Sequence, residues 1–222
     1  MQKYILGGIV GLVLGLTIGF FAANSINRNA PLQHSAANTA VTNSTNGQPT
    51  TGAVIPDVAE AIAKANSEPQ NIEAQLKVGD MYWKINKFDM AAEFFQRAVN
   101  IKPTDFALNI KLANAYFEGR QFENAEKYYT KALEIDPTNI DARTDLGTTF
   151  VERQTPDLDR GMQEFEKVLA LNPKHEPTLY NVAVIYSKKG DTENVGKILA
   201  RLEAIDPSSR YVTQLKKMNS TK

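Results

Sequence analysis

Along residues 70–207, large apolar, small and aromatic residues return in one fixed order, separated by polar stretches. Val78, Gly79, Tyr82, Ala91, Phe95 and Ala98 open the series. Leu112, Ala113, Tyr116, Ala125, Tyr129 and Ala132 hold the same offsets one period later. Leu146, Gly147, Phe150, Gly161, Phe165 and Val168 follow, then Val182, Ala183, Tyr186, Val195, Leu199 and Leu202. Steps of three and four within each half-period put these residues on one side of a helix, so each period predicts two amphipathic helices. Pro103, Pro137, Pro173 and Pro207 close the four periods, at spacings of 137−103 = 34, 173−137 = 36 and 207−173 = 34. Proline cannot continue a helix, so each marks the end of a pair. No stretch reads as a strand, and the expected fold class is all-α.

A single helix pair is too small to bury its apolar faces. It needs a neighbour of the same kind, which is why the unit recurs. The expected architecture is a solenoid of helical hairpins spanning 57–222, with repeats at about 72–105, 106–139, 140–175 and 176–209. Asn86-Lys87, Gly119-Arg120 and Lys189-Gly190-Asp191 supply the hairpin turns. In the last of these, glycine ends one helix and aspartate caps the next. The third unit carries the two extra residues, in the turn Gln154-Thr155-Pro156-Asp157. Thr155 is expected to cap the following helix, with Pro156 in its first turn. A helix over Val58 to Ala65 and another over 208–218, with Tyr211, Val212, Leu215 and Met218 on its apolar side, are expected to cap the two ends.

The order large-small-Tyr, then Ala, Phe, Ala, Pro resembles the tetratricopeptide repeat (TPR). The resemblance covers about residues 70–207 and departs from the pattern at its first aromatic, where Gln75, Asn109, Arg143 and Leu179 stand. It implies a right-handed superhelix with the first helix of each unit on a concave wall. By that resemblance, the residues facing a protein or peptide partner are Leu76, Trp83, Ile110, Asn114, Phe117, Thr148, Val151, Tyr180 and Val184. Most of them are apolar, and an exposed apolar strip marks a binding surface. Trp and Tyr are favoured anchors in such surfaces, and the Asn114 amide can both donate to and accept from a peptide backbone. Chaperone-binding members clamp a terminal carboxylate at positions held here by Leu76, Asp80, Lys111, Asp141 and Asp145. Three of the five are acidic, so that mode is not expected.

Ahead of the repeats, Tyr4 to Ala23 is an uncharged run of 20 residues. As a helix it would be about 30 Å long, enough for a hydrocarbon core. Residues 1–23 are therefore expected to form a transmembrane signal-anchor rather than a cleaved signal. Gly7, Gly11, Gly15 and Gly19 fall on one face of that helix, suited to helix–helix packing. Residues 24–56, rich in Asn, Thr and Ser, are expected to be a disordered linker. Lys3 before the span and Arg28 after it favour a single-pass protein of a bacterial inner membrane with the repeats exported. A cytoplasmic-facing repeat domain is the alternative.

Composition adds exclusions. The chain has 25 basic and 25 acidic residues; only Lys3 and Arg28 of these lie in 1–56, leaving 23 − 25 = −2 for the rest. That balance argues against nucleic acid as a partner. There is no cysteine, and His34 and His175 are the only histidines. No nucleophile with a base, metal set or phosphate loop can be assembled, so no catalysis, metal or cofactor is expected. The expected function is a non-catalytic, membrane-tethered scaffold that holds an extended partner segment. The alternative is an assembly subunit of a larger membrane or cell-envelope complex, such as a cytochrome c maturation-like factor, docked through the glycine face. A homo-oligomer fits either.

Overall fold

The computed structural model describes residues 56–220. They form α1 (Pro56–Ser67), α2 (Ile72–Lys84), α3 (Phe88–Ile101), α4 (Phe106–Glu118), α5 (Phe122–Ile135), α6 (Ile140–Glu152), α7 (Leu158–Leu171), α8 (Glu176–Lys188), α9 (Thr192–Ile205) and α10 (Arg210–Ser220). Helices α2/α3, α4/α5, α6/α7 and α8/α9 pair, and each pair packs on the next. Helix α1 lies on α2, and α10 lies on α8 and α9.

A short proline phrase starts each first helix. Asn71, Asp105 and Asn139 stand two residues after Pro69, Pro103 and Pro137, and their side chains accept the N–H of Ala74, Leu108 and Ala142 at 3.1, 3.2 and 3.0 Å. This satisfies one of the free donors at a helix start. Pro69 extends the proline series by one member (103−69 = 34). Helix α1 thus stands where the second helix of a preceding unit would be.

The hairpin turns share one geometry. Asn86 and Arg120 at φ 57° and Gly190 at φ 76° reverse the chain in the left-handed region. The next residue then donates back to the first helix: Lys87 to the Tyr82 carbonyl at 2.9 Å, Gln121 to Tyr116 at 2.8 Å, Asp191 to Tyr186 at 2.9 Å. The longer third turn reaches the same closure, with Asp157 donating to the Phe150 carbonyl at 2.9 Å. This corrects the cap expected there. Asp157, not Thr155, caps α7, accepting the Arg160 N–H at 3.1 Å, and Pro156 lies outside the helix. The bond to Phe150 fixes the boundary at Asp157, and aspartate is the better cap. Asp157→Ala is expected to destabilise the protein by about 1 kcal/mol, seen as a lower thermal midpoint, whereas Thr155→Ala should leave the midpoint unchanged.

Within each pair, a small residue on the first helix admits an aromatic from the second. A Cβ on Gly79 would lie 2.4 Å from the Phe95 ring, and one on Gly147 would lie 2.4 Å from Phe165. Buried Phe95, Phe150 and Phe165, with Leu112, Leu179 and Leu202, carry the interior along the stack. Gly196 is different: on α9, a Cβ there meets nothing within 4 Å. Gly196→Ala should therefore raise stability by about 1 kcal/mol through helix propensity alone. A calorimetric midpoint that fails to rise would contradict this.

The missing first aromatics have a structural use. Asn109 Nδ2 donates to the Pro103 carbonyl at 2.9 Å, and Arg143 Nη2 donates to the Pro137 carbonyl at 2.8 Å. Gln75 Nε2 reaches the Ala65 carbonyl at 2.6 Å. These polar side chains satisfy carbonyls freed where the preceding helix or turn ends. Leu179 cannot do so, and Arg201 from α9 donates to the Pro173 carbonyl at 3.1 Å instead.

The expected single-pass membrane location is corrected. Among the described residues, no helix is long and apolar enough to cross a membrane. These helices run from 11 to 14 residues, about 20 Å at most against a hydrocarbon core of about 30 Å. The expected anchor 1–23, with Gly7, Gly11, Gly15 and Gly19, and the expected linker up to residue 55 lie outside the described residues. Pro56, expected to end the linker, is the first residue of α1.

Candidate functional site

Among the first helices, α2 is tied to α4 and α6 to α8. Lys111 Nζ on α4 donates to Asp80 Oδ1 on α2 at 2.8 Å. Between α6 and α8, the Thr144 and Thr178 hydroxyls pair at 2.8 Å and Asn181 Nδ2 donates to Thr148 Oγ1 at 2.9 Å. His175, at the N-cap of α8, sets Nδ1 2.8 Å from Thr178 Oγ1 and Nε2 3.5 Å from Asp141. The bonds and the hairpin turns together make a wall one helix deep.

Six of the nine expected contact residues keep exposed surface on that wall: Leu76, Trp83, Ile110, Phe117, Tyr180 and Val184. All six also pack on the interior, which holds them in place. Trp83 meets Phe88 edge-on at 5.2 Å, and Phe117 meets Phe122 edge-on at 5.6 Å. Tyr180 lies 5.6 Å from Tyr211 of the last helix. An aromatic side chain fixed in this way loses little entropy on binding.

The other three lie inside. Asn114 is 6% exposed, Thr148 8% and Val151 3%. The Asn114 Oδ1 accepts the Tyr129 hydroxyl at 2.6 Å, so its carbonyl is engaged within the fold. Thr148 donates to the Thr144 carbonyl at 2.8 Å and accepts from Asn181. Val151 fills the space over Gly161, where a Cβ would lie 2.8 Å from Val151 Cγ2. The repeat offset put them in register with exposed neighbours. The large second-helix side chains and the α6–α8 bonds draw them inward.

The middle of the wall is acidic, with Glu118 on α4 and Asp141, Asp145 and Glu152 on α6. The Asp145 carboxyl is pushed up to about 7, first by burial, then by the charges of Asp141 and Glu118. Burial also raises Glu118. The Tyr129 hydroxyl rises well above its usual range through burial, with Asp145 and Glu118 adding to it. Tyr180 is raised by burial and by Glu152. A second concavity of about 720 Å³ lies at the third hairpin turn, lined by Glu123, Arg153, Pro156, Asp159 and Lys189 among others.

Helix pairs repeating every 34 or 36 residues, each packed on the next, define a helical-hairpin repeat protein. The chain carries tetratricopeptide repeats: profiles described as tetratricopeptide repeat match residues 72–105 and 110–139. No curated protein matches it in sequence. Among solved structures, a crystal structure of MamA protein is similar at TM-score 0.60 and 19% identity, over 68% of this chain and 81% of that one. A second crystal structure of MamA gives TM-score 0.56 at 17% identity, over 74% and 90%. MamA 41-end from Desulfovibrio magneticus RS-1 gives 0.60 at 14%, over 69% and 85%. At these identities the likeness is one of fold.

Proposed function

We propose that this chain is a protein–protein interaction scaffold that receives an extended segment of its partner along the wall of first helices. One observation carries the reading: Leu76, Trp83, Ile110 and Phe117 leave a partly exposed apolar strip running from α2 to α4, on side chains already fixed by packing. Tyr180 and Val184 offer a second such strip on α8. Apolar surface of this kind costs free energy in water and regains it under a partner. Four neighbouring helices about 10 Å apart give a path of about 30 Å, the length of roughly ten extended residues.

The test is Trp83→Ala combined with Phe117→Ala in the full chain. Each anchor is worth about 2 kcal/mol when buried under a ligand, so partners recovered by affinity capture and cross-linking should be lost together. Circular dichroism should show unchanged helix content. Capture that survives the double substitution would remove the groove from the function.

A further inference from the structure

Resting on that groove reading, we infer that the partner segment is basic: an extended stretch carrying Lys or Arg beside apolar residues, its cation seated over Glu118 and Asp145 and its apolar side chains on Phe117 and Ile110. Charge complementarity along the wall favours such a segment. Glu118 on α4 and Asp141, Asp145 and Glu152 on α6 place four carboxylates on two helices that share one core, through Leu112 and Ala115 on α4 and Ala142, Leu146 and Phe150 on α6. Among the described residues, no salt bridge involves Glu118, Asp145 or Glu152. The cations of the same helices are elsewhere or engaged. Lys111 is bound to Asp80, Arg143 to Glu164 and Arg153 to Glu126.

The carboxylates are also electrically coupled, since Asp141 and Glu118 both act on Asp145. Like charges held together in a partly dry trough raise one another's energy, and a cation from outside relieves that. A negative trough with apolar flanks repels acidic segments and admits basic ones, which is how electrostatics sets specificity. The adjoining apolar strip supplies the burial that charge alone does not. The half-buried Phe117 ring also attracts ammonium and guanidinium groups.

The experiment is selection of a displayed random-peptide library, about ten residues long, on the immobilised full chain, with sequencing of the bound pool. The bound peptides should be enriched in Lys and Arg next to large apolar residues. Their affinity, measured by fluorescence anisotropy, should fall at least about tenfold with Glu118→Gln plus Asp145→Asn, and should weaken with added salt. A neutral or acidic bound pool, or unchanged affinity in that double variant, would overturn the inference. Trp83→Ala with Phe117→Ala separates the two readings. If the pool binds through those aromatics without being basic, only this inference fails. A pool indifferent to them, or no enriched pool, sinks the groove reading itself.

Discussion

Phe95→Ala is expected to lower the unfolding free energy by about 4 kcal/mol, the range for emptying a large buried aromatic site. Phe95 is 2% exposed, and its ring lies against Gly79 on α2. Gly79→Ala should be destabilising on its own, since the new Cβ would stand 2.4 Å from that ring. In the Phe95→Ala background the same change should be nearly neutral, because the ring it would strike is gone. Urea unfolding of the four proteins gives the coupling, expected above about 1 kcal/mol. Additive effects would mean that the close approach at Gly79 does not set the α2–α3 packing. Stacked units hold only their neighbours, so the damage should also be local. Trp83 is the chain's one tryptophan and sits on Phe88 in the same pair. Its fluorescence transition in Phe95→Ala should precede the loss of helix followed by circular dichroism, a departure from two-state behaviour.

Asp145→Asn is expected to stabilise the protein by about 2 kcal/mol at pH 8 and to flatten its stability between pH 4 and 7. The folded carboxyl titrates at about 7 against an ordinary 3.8. Between those values the native state holds a proton that the unfolded state has lost, so stability falls as pH rises through the window. A full shift of this size would amount to about 4 kcal/mol at 1.4 kcal/mol per unit. Partial exposure of Asp145 halves that figure through solvent screening. Glu118 on α4 and Asp141 on α6 oppose the charge, and Tyr129 on α5 lies within its influence. Glu118→Gln should therefore recover part of the same gain. Chemical unfolding at four or five pH values measures both, and identical profiles for wild type and Asp145→Asn would refute the account. A change that stabilises the fold while weakening a basic ligand is what a strained binding site predicts.

Much of the stack can be read directly from residue order. The offsets from Val78 to Ala98, repeated three times, fixed the helix pairs because a helical face is a property of spacing alone. The prolines marked the end of each pair for the same local reason, while the Asn or Asp two residues later that caps α2, α4 and α6 emerged only with the structure. The cap expected at Thr155 falls instead at Asp157 because cap choice in the longer turn depends on the closing bond from Asp157 to Phe150, which links residues on either side of the turn.

The helix pairs and their period are legible in the residue order, because they depend on local geometry and on the need of each pair for a neighbour; the wall of Trp83, Phe117 and Tyr180 was implied by the resemblance to the tetratricopeptide repeat. Which of these side chains keep exposed surface depends on contacts between helices. Asn114, Thr148 and Val151 share the offsets of exposed neighbours, yet the Tyr129 hydroxyl, the Asn181 amide and the gap over Gly161 draw them inside. The acidic centre arose in the same way: carboxylates from α4 and α6, far apart in the chain, become a single field only when the two helices share one core.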